Sequence, residues 1–349
     1  MTSRKLRLAA ALATAALAGA ACSSSSATSP SASGDGGGGG KQRPPAKCPL
    51  TGLRPPSQAV LERPALAVKV ENNPLAYPLS GVDKAEIVDE ELVEGGLTRF
   101  MLLFHCTDAN PVGPIRSARG IDPAIMEPIT HILADAGGNN QVREILSKHG
   151  VVNIDENAAG GAMFRRDRPG KSSEHTLYGD TRRLRNIGEK KYGKPPRTGV
   201  FAFGPAPKAK AKKAKRISIE FSHVETITYT YRDGRYYRSD YGHPLEMENG
   251  KRVAPANVII EEHTYSYSSI TDVAGAHSTE IDDPTGKGKA LLFRDGKVYR
   301  GTWHRKAISS PVRFTLRNGK EMVFHRGQTF IELVPDHKGE LKGSFRYSG

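Results

Sequence analysis

The sequence predicts a mixed α/β domain followed by a β-rich domain. In residues 64–204, strand-like segments alternate with helix-like segments, which is typical of layered α/β domains. After residue 217, helical periodicity nearly disappears, and Asp233-Gly234, Asp295-Gly296 and Asn318-Gly319 each separate two strand-like runs. Asn-Gly and Asp-Gly favour the positive φ angles of tight hairpin turns. We therefore expect a mixed sheet with helices in the first domain, and a small barrel or a bent sheet in the second.

The elements of the first domain follow from local patterns. The run Phe100–Phe104 is continuously apolar, which suits a strand buried on both faces. Gly150 is placed as the C-cap of an amphipathic helix. The predicted strands are 65–71, 86–94, 97–105, 131–134 and 151–154, and the predicted helices are 122–129 and 141–149. In the second domain, the predicted strands are 217–222, 226–231, 258–267, 289–293, 297–303, 312–316 and 322–325.

The N-terminus has the parts of a bacterial export signal. Basic residues at positions 4, 5 and 7 precede an apolar run from Leu8 to Ala21, followed by Cys22. The run has about 14 residues, whereas a helix needs roughly 20 to cross a bilayer. Leu17-Ala-Gly-Ala-Ala-Cys22 resembles the lipobox, whose cysteine is diacylated with palmitate-type chains and becomes the mature N-terminus. The alternative is ordinary cleavage at an Ala-x-Ala site, with Cys22 incidental.

The segment after the cysteine predicts a flexible tether. Residues 23–47 are almost all Ser, Gly, Ala, Pro and Lys, and such a segment buries too little apolar surface to fold. The predicted organisation is signal peptide 1–21, lipidated flexible tether 22–47, α/β domain 48–204, basic linker 205–216, β-rich domain 217–336 and C-terminal tail 337–349. We therefore expect a protein anchored by lipid to the extracytoplasmic face of the cell membrane.

Two further cysteines, Cys48 and Cys106, are candidates for one disulfide, because an exported protein meets an oxidising environment. The alternative is two unpaired thiols. No Cys-x-x-Cys and no zinc-type spacing occurs in the sequence, so it predicts no metal site and no cofactor.

The chain is basic, with a formal net charge of +14. A basic chain commonly suggests nucleic acid, but export argues against that partner. Much of the excess charge lies in one run from Lys208 to Arg216, which is interleaved with Ala. This run is typical of a solvated linker. Attraction to anionic lipid headgroups or wall polymers is the functional alternative, at about 1 kcal/mol per basic residue near an anionic membrane.

Carboxylates and arginines cluster near the predicted buried strand. In a strand, Glu90 and Glu94 would share one face and Glu91 would point to the other. Two carboxylates on one face suit acid–base chemistry or a hard cation. The alternative is a structural ion-pair network with nearby arginines such as Arg99.

Two arginines and a Gly-Gly turn suggest an anion site. Arg116 and Arg119 would fall on one side of a helical turn, and their planar guanidinium groups suit phosphate or carboxylate. Gly137-Gly138 lies between a predicted strand and a helix, where free amides favour anions. The ligand-binding candidates are therefore Glu90, Glu94, Arg99, Arg116, Arg119, Asp122, Gly137 and Gly138. No catalytic residue is assigned, because the sequence has no Gly-x-Ser-x-Gly, His-Glu-x-x-His or P-loop motif.

Several motifs resemble the YerB-like bacterial lipoproteins, a family of unknown function. They cover most of the chain after the tether, and the resemblance implies a two-domain extracytoplasmic lipoprotein with no established activity. The motifs are Leu50-Thr-Gly-Leu53, Val68-Lys-Val-Glu-Asn72, Gly81-Val-Asp-Lys-Ala-Glu-Ile-Val88, Glu91-Leu-Val-Glu-Gly-Gly-Leu-Thr-Arg-Phe100, Gly113-Pro-Ile-Arg-Ser-Ala-Arg119, Gly286-Lys-Gly288, Gly301-Thr-Trp303 and Gly327-Gln-Thr-Phe-Ile-Glu-Leu-Val-Pro335.

A second resemblance concerns arrangement alone. In the LytR-CpsA-Psr phosphotransferases, a buried strand precedes an arginine motif that holds a polyprenyl pyrophosphate, and a Gly-Gly segment comes later. Residues 97–105, Arg116, Arg119 and Gly137-Gly138 follow a similar order. The aspartate that follows the arginine in that family is replaced by Ser117.

Two functions follow. The first is a non-enzymatic envelope lipoprotein that binds an anionic ligand or an envelope protein, or acts as a scaffold. The alternative is an envelope enzyme acting on a polyprenyl-phosphate or glycopolymer substrate. The sequence predicts no oligomeric state.

Overall fold

The computed structural model describes residues 46–272 and 275–349. The predicted signal peptide, Cys22 and nearly all of the predicted tether lie outside these residues. The helices are α1 (Ala59–Glu62), α2 (Asp122–Met126), α3 (Asn140–Lys148), α4 (Glu156–Ala159) and α5 (Thr181–Gly188). Within the described part of the chain, no helix has the length and apolar character needed to cross a membrane.

Strands make up most of the regular structure. They are β1 (Leu66–Asn72), β2 (Ile87–Leu92), β3 (Thr98–Phe104), β4 (Ile132–Ala134), β5 (Val152–Ile154), β6 (Met163–Arg165), β7 (Leu177–Gly179), β8 (Ala202–Phe203), β9 (Lys212–Lys213), β10 (Arg216–Glu220), β11 (Thr226–Arg232), β12 (Arg235–Asp240), β13 (His243–Pro244), β14 (Asn257–His263), β15 (Tyr265–Thr271), β16 (His277–Ile281), β17 (Gly286–Arg294), β18 (Lys297–Arg305), β19 (Arg313–Leu316), β20 (Val323–Phe324), β21 (Thr329–Pro335) and β22 (Ser344–Ser348).

The largest sheet has 11 strands in the order β19-β18-β17-β14-β21-β2-β3-β1-β4-β5, with β9 also paired to β18. It is mixed: β21 runs parallel to both β14 and β2, and β1, β4 and β5 are parallel to one another, while the remaining pairs are antiparallel. Strands from both predicted domains therefore share one sheet, because β21 joins β14 to β2.

The second sheet has five strands in the order β13-β12-β11-β10-β22. It packs on the face of the main sheet that carries Phe100 and Phe330, since Tyr229 of β11 contacts the Phe330 ring edge-on and Phe330 contacts Phe100 in the same way. Side chains alternate along a strand, so the opposite face of the main sheet carries the neighbours of these residues, including Arg99 and Ile331. The short helix α2 packs on this opposite face.

The structure confirms the predicted fold class, a mixed sheet with few helices followed by a strand-rich region. Between residues 46 and 349, as far as the structure describes them, the strands close no barrel. Asp233 and Asp295 have φ angles of 50° and 53°, as tight hairpin turns require.

Several boundaries differ from the expectation. The predicted strand 258–267 is divided at Thr264 into β14 and β15, the predicted linker contains β9, and the predicted tail contributes β22 to the second sheet. These short strands form by pairing with strands that are distant in sequence, and such pairing cannot be predicted from the local sequence.

Candidate functional site

A cleft of about 380 Å³ collects most of the predicted site residues. Its lining includes Glu94, Arg99, Arg116, Arg119, Gly137 and Gly138 from the predicted set, together with Arg143, Asp272 and Ser278. Four arginines and two acidic residues therefore line one surface. We refer to it as the arginine cleft.

Backbone pairing holds the arginine loop in place. The segment from Arg116 to Arg119 is an irregular extended loop and not the predicted helical turn. The Arg116 amide donates to the Lys69 carbonyl at 2.9 Å, and the Ala118 amide donates to the Gly137 carbonyl at 2.9 Å. The loop is thus tied to β1 on one side and to the Gly-Gly turn on the other, which brings both arginines to the cleft.

The Gly-Gly turn lies between β4 and α3, as predicted. Gly137 has a φ of 101°, which favours glycine. The Asn139 side chain caps α3 by accepting from the Val142 amide at 2.9 Å. On the first turn of α3, Arg143 donates from Nε to the Gly138 carbonyl at 3.0 Å, so a fourth guanidinium group lies beside the turn.

Arg119 and Glu94 form a nearly buried ion pair. Arg119 Nη2 and Nε lie 2.5 and 3.1 Å from Glu94 Oε2, and Ser278 Oγ donates to Glu94 Oε1 at 2.5 Å. Burial raises the pKa of Glu94, but the hydrogen bond and charge of Arg119 outweigh it, and the pKa lies below its ordinary value. Both oxygens of this carboxylate are therefore occupied.

Arg116 lies between two carboxylates at longer range. Its Nε is 3.4 Å from Glu71 Oε1, and its Nη1 is 3.5 Å from Glu174 Oε2. Glu71 is also bound by His175 Nδ1 at 2.8 Å. Arg116 thus shares both of its acidic partners with His175.

Arg99 differs from the other arginines of the cleft. Its hydrogen bond from Nη1 goes to the Ser117 carbonyl at 3.2 Å. In residues 46–272 and 275–349, no ion pair includes its guanidinium group. Burial, followed by the positive charge of Arg119, lowers the pKa of Arg99 to about 9. Among the described residues, Glu94 and Glu71 act on this guanidinium group only from beyond ion-pair distance, so the cleft presents a positive charge without a contacting carboxylate.

Two predicted site residues lie outside the cleft. Glu90 is fully buried and binds Arg238, and Asp122 is fully buried and accepts from Lys69 Nζ at 2.6 Å. The expectation that Glu90 and Glu94 share a strand face is wrong. Strand β2 ends at Leu92, and Glu94 begins a 3₁₀ turn in which Gly95 and Gly96 have positive φ angles.

The sequence analysis missed several charged residues. Lys69 and Glu332 each interrupt an apolar run, and a charge within a buried strand could have indicated a buried ion pair. Arg143 and Ser278 carry no such signal, because only the tertiary structure brings them to the cleft.

Cys48 and Cys106 are joined by a disulfide, with their Cα atoms 6.1 Å apart. Glu86, His105 and Cys106 bring three donor atoms close together, but the Cys106 sulfur is bonded to Cys48 and is not available as a thiolate ligand.

Comparisons with known proteins identify the family. Residues 50–194 match the N-terminal domain of a protein of unknown function, DUF3048, and residues 217–331 match its C-terminal domain. The chain belongs to the DUF3048 family. It is 30% identical over 297 residues to the Bacillus subtilis protein described as "Putative lipoprotein YerB". The aligned region covers 83% of this chain and 86% of that protein.

A solved structure supports the same family. The crystal structure of B. subtilis YerB matches with a TM-score of 0.71 and 29% identity, covering 86% of this chain and 99% of that chain. The resemblance to YerB-like lipoproteins is therefore confirmed. This chain shares the fold of a relative that is described as a "putative lipoprotein".

Proposed function

We propose that this chain is a lipid-anchored extracytoplasmic protein that binds an anionic envelope ligand in the arginine cleft. The relative described as a lipoprotein supports the anchor, and Cys22 would carry the lipid. The ligand class is a phosphate or pyrophosphate group, because a guanidinium fork donates two parallel hydrogen bonds to such an oxyanion.

The unpaired guanidinium group of Arg99 is the observation that carries this proposal. A partly buried charge without a counter-ion is costly, and an anion held between Arg99 and Arg116 would remove that cost. The lowered pKa of Arg99 has the same origin, since burial and Arg119 both disfavour its charged form. A bound anion would return this pKa towards its ordinary value.

The hydrogen bonds that Glu94 accepts favour a binding function over a catalytic one. A general acid or base needs a carboxyl oxygen that can reach the reacting group. In the cleft, Glu94 accepts from Arg119 through one oxygen and from Ser278 through the other. The structure of the cleft thus supplies positive charge and hydrogen-bond donors, which are the requirements of an anion-binding site.

Titration calorimetry of the full chain in detergent micelles tests the cleft. The probes are pyrophosphate and glycerol phosphate, with acetate as the carboxylate comparison. We expect pyrophosphate to bind the wild type, and Arg99→Ala to weaken binding by at least about tenfold, since a charge-assisted hydrogen bond contributes about 1.5–3 kcal/mol. Arg99→Lys should restore only part of the affinity, because lysine lacks the planar fork.

Arg182→Ala is the matched control, since Arg182 is exposed on α5 away from the cleft lining. It should bind pyrophosphate as the wild type does. Equal affinity of Arg99→Ala and wild type, or no binding of any phosphate probe by the wild type, would remove the cleft from consideration.

The anchor is tested separately. Cys22→Ala should move the protein from the membrane fraction to the soluble exported fraction, and protease added to intact cells should cleave the wild-type protein if it faces outward. Retention of Cys22→Ala in the membrane fraction would contradict lipid anchoring at this residue.

A further inference from the structure

A second cavity lies on the helix-bearing face of the main sheet and shares no lining residue with the arginine cleft. It encloses about 50 Å³. Its walls are mostly apolar and include Ile121, Ala124 and Ile125 from α2 and its approach, together with Ile331 and Phe314. A water-sized group needs about 10–15 Å³, so the cavity has room for about four such groups.

One carboxyl group in the cavity wall has no partner. Asp89 of β2 is 7% exposed and lines the cavity. Its Oδ2 atom is buried without a hydrogen-bond partner among the described residues. Glu91 and Glu332 also have one unpartnered oxygen, but each accepts a hydrogen bond through the other, from Lys69 and Tyr229 respectively. No hydrogen bond of the described residues involves either oxygen of Asp89.

Four charged groups act on Asp89 without hydrogen-bonding to it: Glu261 and Glu91 are acidic, and Arg305 and Lys69 are basic. Glu261 Oε2 lies 3.1 Å from His263 Nε2. Arg305 donates to the carbonyl oxygens of Ala124, Ile308 and Ser310, which ties the following loop to α2. Burial, and then the negative charge of Glu261, raise the pKa of Asp89 well above its ordinary value. Asp89 is therefore a buried carboxyl group that faces an apolar cavity beside a second acid.

An unpaired buried carboxyl group costs stability, and an ordered water, an ion or a ligand can supply its missing partner. A cation would give Asp89 its missing partner, and the apolar walls would bury an attached hydrocarbon segment. A bound cation would favour the ionised form of Asp89, which burial and Glu261 otherwise disfavour, whereas an anion would lie against Glu261. The volume of the cavity limits the bound part to about three to five heavy atoms, a range that includes n-butylamine.

We propose that this cavity binds the end of an aliphatic chain that carries a primary ammonium group, with Asp89 as its counter-ion. This site shares no lining residue with the arginine cleft, so either binding proposal can be refuted without affecting the other. A free aliphatic amine and a lysine side chain of a peptide offer the same chemistry.

Methyl NMR of the full chain in detergent micelles tests this site, with ¹³C-labelled isoleucine. Ile125 and Ile331 report from the cavity walls. The probes are n-butylamine, n-butanol and butyrate. We expect n-butylamine to shift these methyl signals saturably, n-butanol to bind at least about tenfold more weakly, which corresponds to 1.4 kcal/mol, and butyrate to cause no shift.

The variant Asp89→Asn should lose at least about tenfold in affinity for n-butylamine and keep its affinity for n-butanol. Glu262→Gln is the matched control, because Glu262 follows the cavity residue Glu261 but lines a different cleft. The comparison of amine with alcohol in the wild type holds even if Asp89→Asn does not fold.

The proposal is overturned if n-butanol binds as tightly as n-butylamine, if Asp89→Asn keeps its affinity for the amine, or if no probe shifts the cavity methyl signals. Where binding occurs, Nα-acetyl-lysine methylamide identifies the source. Tighter binding of this blocked lysine than of n-butylamine supports a peptide side chain, and weaker binding supports a free amine.

Discussion

Adjacent residues of β2 belong to two separate buried charge networks. Glu90 faces the second sheet, where Arg238 binds it through Nη1 and Nη2 at 2.5 and 2.9 Å. Glu91 faces the helices and binds Lys69, which also contacts Asp122. Removing one partner of such a pair leaves an uncompensated buried charge, which costs about 3–5 kcal/mol. Both networks therefore make the packing on either side of β2 intolerant of single substitutions.

A third buried acid, Glu225, should make stability depend on pH. Burial, and then the charge of Glu90, raise its pKa to about 9, while Tyr241 donates a hydrogen bond to it. Between roughly pH 4.3, its unfolded pKa, and pH 9, the folded chain holds a proton that the unfolded chain has lost. Stability therefore falls as pH rises, by up to about 1.4 kcal/mol per pH unit.

The variant Glu225→Gln keeps a neutral acceptor for Tyr241 and removes this titration. Urea unfolding at pH 5.5 and pH 7.5 should show a loss of stability with pH that is smaller in the variant by about 2–3 kcal/mol. Parallel pH dependence in wild type and variant would show that Glu225 is ionised in the folded chain.

At the scale of elements, strand β18 has no room for a side chain at Gly301. This strand pairs with both β17 and β19, and Gly301 lies opposite Leu316. A Cβ atom at Gly301 would come within 1.8 Å of the Thr315 carbonyl oxygen and 2.5 Å of the Met322 side chain. The glycine of the Gly301-Thr-Trp303 motif is therefore required by close packing of β18 against β19.

Gly301→Ala should destabilise the chain by about 2–3 kcal/mol, because the backbone of β19 must shift to make room. Gly193→Ala is the control, since Gly193 is exposed and its nearest contact would be an ordinary 3.6 Å. Urea unfolding of both variants measures the difference. A cost at Gly301 no larger than at Gly193 would show that the two strands separate easily.

At the scale of the whole molecule, one disulfide closes a long loop. Cys48 and Cys106 are 58 residues apart and both are buried. The bond ties the start of the described chain to the residues after β3. A cross-link stabilises chiefly by restricting the unfolded chain, and the effect grows with loop length.

Replacing both cysteines by serine should lower the free energy of unfolding by about 4 kcal/mol, the value that chain entropy gives for a loop of this length. Urea unfolding of the double variant measures the loss, and wild type treated with reductant should show a similar one. If oxidised and reduced wild type unfold at the same urea concentration, the disulfide does not stabilise the fold.

The candidate site was predictable in part. Arg116, Arg119 and Gly137-Gly138 are close in sequence to a buried strand, and local pattern was enough to select them. Arg143 and Ser278 come from a helix and a distant strand, and the pairing of Glu94 with Arg119 depends on a turn that ends β2 early. The partners of Glu90 were not predictable, because Arg238 lies 148 residues further along the chain.

The sequence by itself determined the class of elements, the hairpin turns after residue 217 and the family, since these depend on local patterns and motifs. Only the tertiary structure decided that β21 joins strands of both halves in one sheet, that Glu90 is buried while Arg99 lies unpaired in a cleft, and that Asp89 faces an apolar cavity. Local patterns report which side of a strand a residue occupies. The partner on that side is set by long-range packing. That packing decides whether a charged side chain forms a buried ion pair, as Glu90 does, or lies in a cleft without an ion-pair partner, as Arg99 does.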